Sequence, residues 1–145
     1  MGEARYVLGM EIVRNHAKKI LVMCQEAYIK RVLERFRIHY SKLIDTSVEK
    51  GLTLTLDQCP ETYQEKEKIK YVPYANVVGS FMYAMLCTWP DIYFVVGLVS
   101  CYQSNLGPTH WKAVKRIMHY LRGTTDLVLC YQGVDLKLRG YSDAN

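Results

Sequence analysis

Residues 73–103 read PYANVVGSFMYAMLCTWPDIYFVVGLVSCYQ, and how this stretch is read decides the fold. It carries a single charge, Asp91, and two prolines, Pro73 and Pro90, each at the head of an apolar run. Proline suits the first helical turn, where its missing N–H has no partner in any case. The pattern predicts one helix from Pro73 to about Cys87 and another from Pro90 to about Gln103. Both are apolar nearly all round, so they belong in a protein core or in lipid. Pro90 and Asp91 interrupt the run, and neither piece reaches the ~20 residues that span a bilayer. A protein core, with no membrane partner, is the expectation.

Downstream, Pro108 opens a third helix to Arg122, with Gly123 placed to end it in a left-handed cap. Trp111, Val114, Ile117, Met118 and Leu121 share one face of it, while Lys112, Lys115, Arg116, His119 and Arg122 share the opposite one. Four fixed positive charges with no acid among them suit a phosphate backbone. The same pattern also describes the solvated face of a packed helix, and the sequence leaves both readings open.

Upstream, 6–13 and 19–24 are β-rich runs separated by polar residues, which predicts a hairpin. A helix follows over about 25–37, with Tyr28, Ile29, Val32, Leu33 and Phe36 on one face. Residues 51–56 alternate with period two, like a short half-buried strand. Residues 57–70 carry three basic and four acidic groups and no apolar periodicity. They read as a solvated linker or long loop. After Gly123, 127–131 reads as a strand, and the stretch from Leu136 alternates into Asp143. The expected class is α+β: an N-terminal hairpin, an α-rich middle and truncated strands at the C-terminus. Such a fold is incomplete at both ends, with a hairpin lacking the sheet it should join and a last strand lacking its own. Open edges of that kind favour aggregation.

The whole chain of 145 residues is half apolar and 23% charged, which excludes global disorder. No repeat supports a collagen-like, low-complexity or coiled-coil reading. The net charge of +5 permits a polyanion partner without demanding one. It is unevenly spread: residues 1–56 carry +4, 108–123 hold four basic groups and no acid, and 124–145 return to −1. The five cysteines are 35, 28, 14 and 29 residues apart with no Cys-x-x-Cys pair, so reduced intracellular thiols are expected. The N-terminus shows no apolar signal core.

Six ordered phrases carry a family resemblance. Val7-Leu8-Gly9-Met10-Glu11-Ile12 is similar to FLGIEI, and Gln25-Glu26-Ala27-Tyr28-Ile29 to Q-x-x-Y-I. Pro73-Tyr74 with Val78-Gly79-Ser80-Phe81-Met82-Tyr83 resembles P-Y-x-x-x-V-G-S-L-M-Y, and Thr88-Trp89-Pro90-Asp91-Ile92 resembles T-R-P-D-I. His110-Trp111-Lys112-Ala113-Val114-Lys115-Arg116-Ile117 with Tyr120-Leu121-Arg122-Gly123-Thr124 is close to H-W-x-A-x-K-R-I-L-R-Y-L-K-G-T. Gly140-Tyr141-Ser142-Asp143-Ala144-Asn145 resembles G-Y-S-D-A-D. Together they resemble the C-terminal part of the reverse transcriptase of copia-type LTR retrotransposon Pol polyproteins, running into ribonuclease H.

That resemblance implies a parent performing RNA-directed DNA synthesis and RNA-strand hydrolysis in RNA–DNA hybrids. It divides the chain into 1–56, the end of the palm and start of the thumb; 57–70, a linker; 71–125, a helical thumb or connection region; and 126–145, the start of a truncated ribonuclease H domain. The implied partner is an RNA–DNA hybrid or DNA reached through the polyprotein, with no small-molecule ligand, in a cytoplasmic particle or the nucleus. The family's Tyr-x-Asp-Asp turn is absent, and no adjacent Asp pair occurs in the chain. Trp89 stands for the family's Arg, Cys101 for a common Arg, and Asn145 for an Asp. Ribonuclease H chemistry needs several carboxylates converging on two metal ions. Only Asp143 occupies such a position, so magnesium and a catalytic, metal-binding role for Asp143 are implied for an intact parent alone. The fragment itself is expected to be inactive and at most to contact nucleic-acid backbone. The alternative is a non-catalytic nucleic-acid-binding module kept from a degenerate element.

Other residues carry narrower expectations. Leu8 and Gly9 shape the hairpin, Gly9 allowing another backbone to approach; the resemblance adds a primer- or template-positioning role. Lys112, Lys115, Arg116 and Arg122 are the candidate backbone contacts. His110 falls on the apolar side of its helix as a packed or capping histidine. Asp91 should accept free N–H groups and complement the helix dipole. The tyrosines at 71, 74, 83, 93 and 102 should pack in the core rather than stack on bases.

Overall fold

At Leu8 and Gly9 the backbone takes positive φ values of +50° and +82° in the computed structural model, which describes residues 4–38 and 43–133. Two successive positive φ values make a tight hairpin turn whose twist matches its flanking strands. The run predicted over 6–13 is therefore two strands, β1 (Tyr6–Val7) and β2 (Met10–Asn15), with Val7 opposite Met10. Gly9 answers to its φ and not to crowding, because a Cβ there would meet nothing within 4 Å. No backbone of the described residues approaches this glycine closely. A second turn, in which Lys18 N donates to Asn15 Oδ1 at 3.0 Å, leads into β3 (Ile20–Cys24), antiparallel to β2. The hairpin predicted from the two β-rich runs is present.

The helices follow their prolines and periodicity. Helix α1 (Glu26–Arg35) buries Ile29, Val32 and Leu33. Helix α3 (Tyr74–Cys87) buries Tyr74, Val77, Val78, Phe81 and Ala84. A 3-10 turn over Pro90–Ile92 leads into α4 (Tyr93–Ser100), which buries Val95, Val96 and Val99. This helix ends three residues short of the expected Gln103, the chain passing into turns. Helix α5 (Pro108–Gly123) completes the core with Val114, Ile117, Met118 and Leu121, all fully buried. The tyrosine expectation holds only in part: Tyr74 is buried and Tyr83 and Tyr102 are half-buried, but Tyr71 is 84% and Tyr93 64% exposed.

The end of α5 departs from the expected left-handed cap. Gly123 remains helical and Thr124 follows at φ −125°. Thr124 Oγ1 donates to the Tyr120 carbonyl at 2.9 Å and Thr125 Oγ1 to the Arg122 carbonyl at 3.3 Å. These hydroxyls serve carbonyls that a glycine cap would otherwise serve.

The period-two stretch 51–56 forms no ladder. Leu52 and Leu54 pack against the core while Thr53 is exposed, but Leu56 is 76% exposed, so the alternation holds for only part of the stretch. The Leu54 carbonyl, however, accepts from Tyr102 Oη at 2.8 Å instead of from a neighbouring strand. In the stretch read as linker or loop, a 3-10 turn (Leu56–Gln58) is followed by a short helix, α2 (Tyr63–Ile69), that buries none of its residues. Its signal was a capping box: Glu65 N donates to Thr62 Oγ1 at 3.3 Å and Thr62 N to Glu65 Oε2 at 3.2 Å. Those backbone donors hold the Glu65 carboxyl below its ordinary pKa. Cys59 and Pro60 are buried, so the segment's first part is docked and only its later part is solvated.

From α5 the chain returns to the hairpin. Strand β4 (Leu129–Gln132) pairs antiparallel with β3, Met23 opposite Leu129 and Val22 opposite Cys130, giving the order β1-β2-β3-β4. The last strand, expected to lack a sheet, lies outside the described residues, while the strand expected over 127–131 is the fourth strand of the N-terminal sheet. The physical reason is that the free N–H and C=O groups of an edge strand are a template for any strand brought alongside. The α+β class stands. The stretch from Leu136 onward, including Asp143, lies outside the described residues.

Candidate nucleic-acid interface

Helix α5 places its side chains as its period dictates. Trp111 is half-buried, tilted against Tyr74 at a ring-centroid distance of 6.3 Å. On the other side Lys112 and Lys115 are exposed, and Arg116, His119 and Arg122 are half-covered. The structure thus brings all five basic residues onto one stripe, as expected, but the stripe is not open along its length. Arg116 Nη2 donates to Thr46 Oγ1 at 2.8 Å, and Glu49 Oε2 stands 3.8 Å from Lys112 Nζ. Lys115 makes no ion pair among the described residues. Thr46 and Glu49 were not legible as partners of this helix, since more than sixty residues separate them from Arg116 and Lys112 and neither sits in a motif.

The start of α5 explains His110. Its Nδ1 accepts from Gly107 N at 2.8 Å, taking the part that Glu plays in a capping box. The ring is fully buried and stacks on Tyr102 at 4.1 Å. Burial lowers its pKa, the Thr55 backbone pulling weakly the other way. His110 is therefore a neutral packed cap, as its place on the apolar side suggested. Gly107 beside it tolerates no side chain, because a Cβ would lie 1.8 Å from the Gln58 carbonyl oxygen.

Asp91 departs from its expected use. No side-chain cap bond forms at the 3-10 turn or at α4. Its carboxylate instead accepts from the Tyr120 hydroxyl and ties the turn to α5. Burial first, and then this carboxylate, push the Tyr120 phenol up to about 12.

The Leu8-Gly9 turn is held from α3. The Tyr83 hydroxyl donates to the Leu8 carbonyl, and Tyr83 meets Tyr28 edge-on at 4.9 Å. Tyr28 in turn donates to the Ser80 carbonyl at 3.1 Å, and Thr88 Oγ1 donates to the buried Gln25 Oε1 at 2.7 Å. These contacts leave the Leu8 side chain 81% exposed at the tip of a turn whose backbone is fixed. Neither Leu8 nor Gly9 bonds to a residue of the α5 stripe among the described residues.

Among the described residues, no group of three or more His, Cys, Asp or Glu side chains is placed to hold a metal ion. The carboxylate set that magnesium would need is not assembled among these residues. No helix of the described residues is long and apolar enough to cross a membrane.

The chain is 48% identical over 145 residues to the retrovirus-related Pol polyprotein from transposon TNT 1-94 of Nicotiana tabacum, covering 100% of this chain and 11% of that protein. It is 31% identical over 144 residues to the retrovirus-related Pol polyprotein from transposon RE2 of Arabidopsis thaliana, covering 99% of this chain and 9% of that protein. Over 78 residues it is 44% identical to secreted RxLR effector protein 161 of Plasmopara viticola, covering 53% of this chain and 55% of that protein. No protein-family model and no solved structure matches. The chain's homologues are thus retrovirus-related Pol polyproteins of plant transposons, and it spans about a tenth of their length.

Proposed function

We propose that this chain is the part of a copia-type Pol polyprotein where reverse transcriptase runs into ribonuclease H, and that its α5 stripe contacts the nucleic-acid backbone. In the parent, the reading assigns RNA-directed DNA synthesis and RNA-strand hydrolysis to the whole polyprotein. The fragment's share is binding: Lys112, Lys115, Arg116 and Arg122 meet phosphates of an RNA–DNA hybrid, while Leu8 and Gly9 present a rigid turn toward the primer or template. Asp143 acts as a magnesium ligand only once the rest of the ribonuclease H carboxylates are present. Such a parent works in a cytoplasmic particle or the nucleus.

The observation that carries the reading is the α5 stripe itself, five basic side chains on one face with none of them used in the core. Contacts to phosphate position a protein without reading sequence. Binding of the 145-residue chain to a short hybrid should therefore weaken with salt along a log–log slope of at most about −3.6, from about −0.9 per neutralised phosphate. Replacing Lys115 by Gln should flatten the slope by roughly one unit and weaken binding evenly across sequences. If Gln at 112, 115, 116 and 122 together leaves affinity and slope where they were, the stripe is a solvated surface.

The rival reading, a binding module without catalysis, predicts the same slope. The flanking genomic sequence separates the two. An in-frame Tyr-x-Asp-Asp upstream supports the polyprotein, and a separate transcript for this chain alone supports the module.

A further inference from the structure

Segment 43–49 forms a roof over part of the α5 stripe. A Cβ on Gly123 would lie 3.7 Å from the Ile44 carbonyl oxygen and 3.9 Å from Leu43 Cβ, so the roof reaches the end of the helix. Thr46 holds Arg116 and Glu49 faces Lys112 farther back along it. Between roof and helix lies a cavity of about 250 Å³ lined by Ile44, Glu49, Lys112, Lys115, Arg116 and His119. Four of its six lining residues are basic or titratable to a cation, and one is an acid.

Two observations show that the roof leaves the donors of the stripe poorly satisfied. The Lys112–Glu49 pair is long, at 3.8 Å, and its side chains are 75% and 51% exposed, the kind of ion pair that contributes little. Beside it, the donors Arg116 Nε and Arg122 Nη1, and the ring nitrogen His119 Nδ1, are buried without a hydrogen-bond partner among the described residues. Buried donors left unpaired are costly, and a charged acceptor is the partner that relieves the cost most. At positions 116, 119 and 122 the unpaired nitrogens recur every three residues, along one edge of the stripe.

We infer that this cavity is a site for one phosphodiester group of the bound strand, and that Glu49 occupies it as an internal carboxylate in the phosphate's place. The inference rests on the reading of α5 as a backbone-contacting helix and adds to it a named acceptor to be displaced. Glu49 neutralises Lys112 in the free protein, and an incoming phosphate takes over Lys112 together with Lys115 and Arg116. The weak Glu49 contact makes the exchange cheap.

The test is hybrid binding by the 145-residue chain over a salt series, with folding of each variant checked by its thermal melt. Glu49→Gln should tighten binding several-fold at low salt while the log–log slope stays near its wild-type value, because the phosphate then takes Lys112 without displacing a carboxylate. In a Lys112→Gln background the same substitution should do nothing, the signature of a local pair and not of a general gain in charge. An unchanged affinity in Glu49→Gln overturns the inference, and so does a gain that persists without Lys112. If the fourfold Gln variant loses hybrid binding while Glu49→Gln changes nothing, the phosphate site fails and the stripe reading survives. If the fourfold variant binds as before, both fail together.

Discussion

In α3, α4 and α5 one set of apolar side chains leaves solvent altogether, with Val77, Val78, Phe81, Val95, Val96, Val99, Val114 and Ile117 fully buried, while Leu86 and Phe94 stay 74% and 65% exposed. In the four-stranded sheet no residue is buried at all, although β3 reads Ile-Leu-Val-Met-Cys without a polar interruption. The pairing register puts Ile12, Met23 and Leu129 on one face and Val13, Val22 and Cys130 on the other. Both faces are thus apolar, and both are partly wet. The two regions start from similar composition and reach opposite ends because helices can cover one another on several sides. A sheet covers only its own edges, and each of its faces needs a second layer. The helical region therefore holds itself together by burial. The sheet relies on its ladder and on a few contacts to the helices.

The comparison is sharpest in a pair of truncations. Phe81→Ala empties a fully buried site and should cost about 3–5 kcal/mol by denaturant unfolding. Val22→Ala in β3 should cost less than about 1 kcal/mol, since its methyls are already partly solvated. Equal losses would mean that sheet and helices share one core, and the contrast would break.

Gly107→Ala tests the join between α5 and the docked part of segment 57–70. The added Cβ would collide with the Gln58 carbonyl oxygen, a backbone atom that moves only with its whole turn. Overpacking of this kind should cost about 1–3 kcal/mol in melting stability. Gly97→Ala, where a Cβ meets nothing within 4 Å, is the control and should not destabilise. A harmless Gly107→Ala would show that residues 56–58 can move freely on α5.

The smallest effect should come from Tyr83→Phe, which removes the hydroxyl holding the Leu8 carbonyl. A net loss at or below about 1 kcal/mol is expected for one such bond. The informative readout is hydrogen exchange at the β1–β2 turn, which should speed up at Val7 and Met10 while the α3 amides keep their protection. Uniform exchange in the variant would show the sheet's first corner to be stable without its helix, and would weaken the view of it as a dependent layer.

How much was legible in the chain varies with the kind of signal. Helices with a proline at the head and one apolar face were legible to within a few residues, because proline and periodicity act locally. Helix α2 was not, since it lacks an apolar face and its signal rests on Thr62 and Glu65 alone. Leu54 and its neighbours alternate as a strand does, yet the Leu54 carbonyl went to Tyr102, forty-eight residues away. At the interface the basic residues of α5 were legible as a stripe. Its roof was not, because Thr46 and Glu49 meet Arg116 and Lys112 only through the fold.

Periodicity, proline placement and the charge of each segment determined, from the sequence alone, that this chain has a hairpin, a run of buried helices and one helix with a cationic face. Those properties depend on residues within a turn or two of each other, so the chain carries them wherever it is placed. Only the tertiary structure decided that β4 closes on β3, that Asp91 serves Tyr120 and not a helix end, and that Glu49 sits over Lys112. Each of these joins groups far apart in sequence whose meeting depends on how the helices pack. An open edge, a free carboxylate or an unpaired lysine accepts whichever partner packing brings within a few ångströms, and local sequence does not name that partner.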